Sequence, residues 1–467
     1  MASSSRAGLR WRLLFSNAGF PCYFAGLFVS LFGTGMNFAG VTLFVLAKTH
    51  STVQVSFTII LLTLPRLVVP PFGGVLTDRV DRRYLSIALD LVRAVIVLVT
   101  AVIAWRGHLQ LWQLYGMVLL LGAGFAIYWS SSLALLQELI PVAQLVGANS
   151  AVLIAVQGGM LAAGALVGFV YERAGLAGIL AIDGATYLLS ALFFCLLRSG
   201  YFPPHGVSVP TESPNRAPLS GESPAGECLP DERETAPAEQ LATDTHAAPV
   251  LILESLEPNP VRSVLSDIAE GLRYLRTQPA VLALGLTYAC MMAGVISANV
   301  IVVALASDLL HAGARGYGFI EGGWALGAVT GGLAAGALSR RHPFTVLISA
   351  LFVLACGHAL FPYAGSLAVA VAMNVVFGAC RAIVAVLTQS SILAVVPARL
   401  MGRTQSAFAV MATILQVVMS LALGWIAQHS SLQIAFLLLG LLYASAIFAA
   451  TRAGDLSALL TKQAALT

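Results

Sequence analysis

The chain has 467 residues, of which 58% are hydrophobic and only 10% charged, with a formal net charge of +4 and a mean hydropathy of +0.87. Water-soluble proteins carry about 25% charged residues. A soluble globular fold is therefore excluded, and the solvent for most of this surface is lipid.

The first 18 residues hold Arg6, Arg10 and Arg12. No small-residue cleavage site follows a short apolar core, and the first apolar run is too long for a signal peptide, so it is expected to be retained. A membrane-crossing helix needs about 20 apolar residues. Candidates in the first half are 19–47, 53–77, 84–105, 109–135, 145–171 and 176–198. Those in the second half are 279–307, 316–339, 343–363, 366–394, 402–428 and 432–452. Barrel strands would be about 10 residues long with alternating polarity, and nothing alternates that way. The expected fold class is an all-α membrane protein with twelve transmembrane helices in two parallel six-helix halves.

The middle of the chain departs from this pattern. Residues 203–260 contain eleven prolines, ten acidic residues and two arginines, a composition that cannot bury enough surface to fold. The expected organisation has a tail at 1–18 and a six-helix half at 19–198. An acidic Pro-rich linker at 199–262 and an amphipathic interfacial helix at 263–278 follow. A second six-helix half at 279–452 and a tail at 453–467 complete it. In the amphipathic segment Leu265, Ile268, Leu272 and Leu275 share a helical face, as suits a helix lying under a membrane. Near the span ends, fifteen Lys and Arg residues fall on the side of both termini and four on the other. The positive-inside bias makes both termini cytoplasmic, which implies a plasma or bacterial inner membrane location.

Between the second and third spans the chain reads Gly73-Gly74-Val75-Leu76-Thr77-Asp78-Arg79-Val80-Asp81-Arg82-Arg83. This G-x-L-x-D-R-x-x-R-R pattern resembles the signature loop between helices 2 and 3 of the major facilitator superfamily of secondary transporters. Asp81 stands where the family often has Gly, although Asp also occurs there in the drug-efflux branch. Gly336-Ala337-Leu338-Ser339-Arg340-Arg341 echoes the loop about 260 residues later, as a parallel repeat would. The resemblance covers most of the chain outside the linker and tails. It looks most like the bacterial efflux branch that includes macrolide and enterobactin exporters.

Ionisable groups inside spans cost a few kcal/mol each and are functional candidates. Asp90 and Arg93 lie three residues apart and can pair on one helical face. The alternative is that Asp90 also receives Arg82 or Arg79. With Gly74, Asp78 and Arg83 these form a candidate conformational lock, in which Asp78 caps its own turn or faces the start of span 11 near Gly402. Arg66, beside Pro65, and Arg381 are candidates for substrate contact or for snorkelling to the interface. Glu321 and Asp183 have no basic residue three or four positions away and are candidate proton carriers, with Glu321 first because water can approach the start of span 8 from outside. The first span carries no acid, whereas many drug/proton antiporters of the family do. Gly159, Gly164 and Gly168 in span 5, and Gly323, Gly327 and Gly331 in span 8, have the spacing of close helix packing. The antiporter signature has Gly-Pro where Gly164-Ala165 stands here, and a second Gly where Phe169 stands.

The only lysines are Lys48 and Lys462, neither in a Gly-rich phosphate loop, so no ATP hydrolysis is expected. No zinc-hydrolase or serine-hydrolase signature occurs. Of eight histidines only His358 lies well inside a span, and the six cysteines show no metal spacing. No enzyme activity, metal, cofactor or nucleic-acid partner is expected. The resemblance implies a monomeric secondary transporter exporting a small amphipathic molecule, of drug, macrolide or siderophore class, by alternating access in exchange for protons. The rivals are a lipid or lysophospholipid flippase or an uptake carrier of the same fold, and a non-transporting membrane sensor acting through the linker.

Overall fold

The structure is a computed structural model that describes residues 19–69, 80–140, 144–197, 270–271, 273–338 and 342–452. The described secondary structure is helical throughout. In chain order the helices are α1 (Gly19–Thr49), α2 (Thr52–Thr63, resuming as Pro65–Val68), α3 (Arg82–Trp105) and α4 (Leu111–Leu139). The run Leu145–Leu196 supplies α5 and α6. Then come α7 (Pro279–Ala304), α8 (Gly313–Leu338), α9 (Pro343–Leu360), α10 (Leu367–Val395), α11 (Ala398–His429) and α12 (Leu432–Arg452). The expected all-α class holds. The two tails and the linker 199–262 lie outside the described residues, as do Gly74, Asp78 and Arg79.

Local chemistry explains the boundaries. A straight helix over Leu145–Leu196 would be about 75 Å long, more than twice the apolar thickness of a bilayer. Gly175 breaks it with φ 59° and ψ −160°. Residues on its two sides then run in opposite directions along α1: Gly159 meets Phe28 and Phe32, while Gly26 meets Phe193 and Gly40 meets Ile179. In α2, Pro65 lacks an N–H and starts a new helical turn. Asp81, the departure from the family pattern, is the N-cap of α3, and its Oδ1 accepts the N–H groups of Arg83 (2.8 Å) and Tyr84 (3.4 Å). That satisfies donors a glycine would leave free. After α7, the chain closes one π-type turn over Leu305–Leu309.

Helix α3 shows how these helices are oriented. Val92, Val95, Val99 and Val102 face outward, and Ser86, Asp90, Arg93 and Thr100 are buried. Apolar side chains meet lipid and polar ones meet protein, the arrangement a bilayer requires. Tyr84, Trp105 and Trp112 are exposed at helix ends, as interfacial aromatics are.

The packing repeats. Helix α1 lies against α5 and α6, and α7 against α11 and α12; α3 packs on α6 as α9 packs on α12. Between the two sets, α5 meets α8 and α2 meets α11. Residues 270–271 and 273–277, the described end of the amphipathic segment, are helical. There Leu275 is buried with Ala407 and Phe408, and Glu270 pairs with Arg403 at the start of α11.

Candidate functional site

Arg66, one residue after Pro65, lines a cavity of about 360 Å³ between the two helix sets. Helices α1, α2, α4 and α5 line one side with Thr34, Phe38, Arg66, Phe125 and Gln157. Helices α7 to α10 and α12 line the other with Asn299, Glu321, Trp324, His358, Arg381 and Tyr443. A side chamber of about 50 Å³ extends toward Asn37, Thr58 and Tyr187. The volume falls within the range of roughly 300–1,000 Å³ typical of small-molecule sites.

Three charged groups face this cavity. The Arg66 guanidinium lies 5.1 Å from the Phe125 ring centre, and that of Arg381 lies 5.0 Å from the Trp324 ring centre. Each cation rests on an aromatic face, and neither forms an ion pair among the described residues. The Arg381 Nε is buried without a hydrogen-bond partner. Glu321 lines the cavity from α8 and has no ion-pair partner among the described residues. His358 is held in place by Nδ1 against the Leu354 carbonyl (2.7 Å) and stacks on Phe377 at 4.3 Å. Asn374 donates to the Ile320 carbonyl (2.6 Å) and fixes α10 one residue before Glu321.

Behind the side chamber lies a second, buried group. Arg93 pairs with Asp90 and is sandwiched between Tyr128 and Tyr187 at 4.1 and 4.5 Å. Ser190 Oγ donates to the other Asp90 oxygen (2.7 Å). Asn37 Nδ2 donates to Asp183 Oδ2 (2.5 Å), while Asp183 Oδ1 is buried without a partner. The intrahelical pairing of Asp90 with Arg93 is thus observed. The alternative for Arg82 is not: Arg82 pairs with Glu138 at the end of α4 at 2.5 Å. Arg82 sits two helical turns from Asp90 along α3, and an acid on the adjacent helix is within easier reach. Arg83 donates to the carbonyls of Phe194 (3.0 Å) and Cys195 (2.8 Å), a cation on the negative end of α6.

At the end of the molecule where α1 finishes and α2 begins, contacts join the two helix sets. Between α2 and α11, Thr52 Oγ1 donates to the Gly424 carbonyl and Ser56 Oγ to the Ser420 carbonyl, both at 2.6 Å. Deeper, Gln416 Nε2 reaches Thr63 Oγ1 at 2.7 Å. Between α5 and α8, Gly164 lies against Gly318 and Gly322, and Gly168 against the backbone of Ala314 and Arg315. Glu172 pairs with Arg315 at 2.6 Å, and Arg315 lies over Phe169. In this conformation the α5–α8 contact lies beside Glu321 at the start of α8. Gly159 packs on α1, and Gly323, Gly327 and Gly331 pack on α10, so the two glycine runs serve different contacts.

The structure therefore brings Arg66, Arg381 and Glu321 into one cavity and keeps Asp183, Asp90 and Arg93 together apart from it. Charge-based reading passed over Asn37, Trp324 and Asn374. An amide or indole inside an apolar helix carries no charge penalty, and only its polarity within the span marks it. The partners Glu138 and Glu172 were equally hidden, because both sit at span ends where acids are ordinary.

Helices long and apolar enough to cross a membrane, with a polar cavity between two similarly packed helix sets, fit a multi-pass membrane transporter. The chain belongs to the major facilitator superfamily, whose model matches residues 23–419. Among solved structures it is similar to the nucleoside transporter NupG, at 13% identity over 92% of this chain and 97% of that one, with TM-score 0.62. It is also similar to the POT family transporter PepTSo, at 11% identity over 96% and 99%, with TM-score 0.63. A bacterial homolog of the human lysosomal transporter Spinster, inward-facing and unoccupied, matches at 14% identity over 94% and 97%, with TM-score 0.57. At such identities the likeness shows the fold. No significant match was found among curated proteins.

Proposed function

We propose that the protein is a secondary active transporter that exports a small amphipathic molecule through the central cavity by alternating access, in exchange for protons. The observation that carries this reading is the cavity itself. It is lined from both helix sets and holds a carboxylate with no ion-pair partner among the described residues. Glu321 is the proposed proton carrier, with Asp183 second. An acid within the same cavity as the substrate can exchange one for the other, whereas Asp183 sits behind Asn37 and Tyr187. The resemblance to the efflux branch supports the outward direction and a bacterial inner membrane location with cytoplasmic termini. The loop residues Gly74, Asp78, Arg79, Arg82 and Arg83 are proposed to hold one conformation of the cycle.

The test is efflux from energised cells or vesicles. Collapsing the proton gradient with an uncoupler, in cells still rich in ATP, should stop efflux. Efflux that persists under those conditions removes proton coupling from the reading. In purified protein, substrate addition should release protons, and Glu321→Gln should abolish that release.

A further inference from the structure

Three charges face one cavity, and none of them is paired with another. Arg66 comes from α2 of one helix set, and Arg381 and Glu321 come from α10 and α8 of the other. Arg66 is exposed into the cavity and Arg381 and Glu321 are half-buried, so a ligand that enters and displaces water must satisfy them; the two cations rest on ring faces instead of on acids. Had Glu321 been within 4.0 Å of either guanidinium, the pair would neutralise itself; it is not. What satisfies all three at once carries both signs, set apart from each other. The same lining carries the rings of Phe38, Phe125, Trp324, Phe377 and Tyr443 beside aliphatic side chains such as Met160 and Met292.

We infer that the cavity selects an amphipathic zwitterion: a carboxylate or phosphate group held by Arg66 and Arg381, a protonated amine held by Glu321, and an aromatic or apolar body between them. The inference rests on the cavity being the transport site and names what it takes. It also explains exchange. An amine and a proton both neutralise Glu321, so binding of one displaces the other, whereas a simple anion would favour the protonated acid and travel with the proton. Because Arg66 and Arg381 belong to opposite helix sets, the anionic group draws the sets together only when both guanidiniums reach it. A planar guanidinium can take such a group through two parallel bonds.

The experiment is calorimetric titration of the full chain in lipid nanodiscs with four forms of one molecule. These are glycyl-naphthylalanine, its N-acetyl form, its C-terminal amide, and the N-acetyl amide. They carry both charges, the negative alone, the positive alone, and none. A phosphate in place of the carboxylate distinguishes the two anionic groups. The zwitterion should bind about tenfold or more tightly than either singly charged form, the size expected of one charged hydrogen-bonding contact. It should release protons on binding, seen as heat that depends on the buffer. Glu321→Gln should erase its advantage over the N-acetyl form, and Arg66→Gln or Arg381→Gln its advantage over the amide. Arg66→Lys and Arg381→Lys should recover part of it, which separates lost charge from lost fold. If a singly charged or neutral form binds as tightly as the zwitterion, and Trp324→Phe weakens it, the cavity remains the site and the zwitterion class falls. If none of the four binds, both the class and the cavity reading fall.

Discussion

The pair formed by Asp90 and Arg93 is completely enclosed, with both side chains almost without solvent exposure. Inside a low-dielectric interior, removing one partner leaves the other as an uncompensated charge, which costs about 3–5 kcal/mol. Arg93→Gln should therefore lower the melting temperature of the purified protein and its abundance in the membrane. The double variant Asp90→Asn with Arg93→Gln should recover part of the loss. A single variant that melts at the wild-type temperature would show that the pair contributes nothing to the fold. Sequence alone placed these two side chains on one helical face and gave their pairing. It could not show Tyr128 and Tyr187 closing over the guanidinium, because those residues arrive from α4 and α6. The same limit applies to Asp183. Its lack of a basic neighbour along the helix was legible, but its bond from Asn37 crosses 146 residues of chain.

At the scale of elements, the two glycine runs make opposite predictions. A side chain at Gly168 would meet backbone atoms of Arg315 on α8, and one at Gly327 would meet the Val375 carbonyl on α10. The first contact joins the two helix sets and the second lies within one. Gly168→Leu should keep the sets from joining at the end where α1 finishes and α2 begins, while leaving each set intact. A cysteine placed by S420C should then react faster with a membrane-impermeant maleimide from that side. Gly327→Leu should instead lower thermal stability without changing that reactivity. Equal behaviour of the two variants would contradict the distinction. The spacing of small residues was legible in the sequence, but which helix each run meets was not, since α5 and α8 read alike. Arg82 makes a further pair of predictions with Glu138. Arg82→Ala and Glu138→Gln should both abolish transport at near-normal membrane abundance, as Asp78→Asn should. Wild-type efflux in Glu138→Gln at matched expression would separate the ion pair from the loop's function.

For the whole molecule, the all-α membrane class followed from apolar run lengths and scarce charge, which are local composition that a single sequence holds in full, whereas the two parallel halves were implied by the resemblance and by the echo of the charged loop. The cavity depended on how the two sets lean against each other, which no run length records. The linker is the remaining large-scale claim. Deleting residues 205–258 should leave efflux at wild-type levels if the chain works as a transporter. A sensor acting through that segment would lose its output, so loss of function in the deletion at normal abundance would favour that rival.

The link between Glu172 and Arg315 has a consequence for the resting state of the cycle. Both side chains are substantially exposed, at 38% and 47%. An exposed pair of this kind contributes about 0–1 kcal/mol, no more than about a fivefold bias between two conformers at room temperature. Most of the preference for joined sets at this end must then come from the glycine-to-backbone contact and the hydroxyl-to-carbonyl bonds, whose strength salt does not screen. Turnover should accordingly vary little between low and moderate ionic strength. The occupancy of the two conformers before any substrate arrives is set by how closely two helices fit, with charge adding only a fine adjustment.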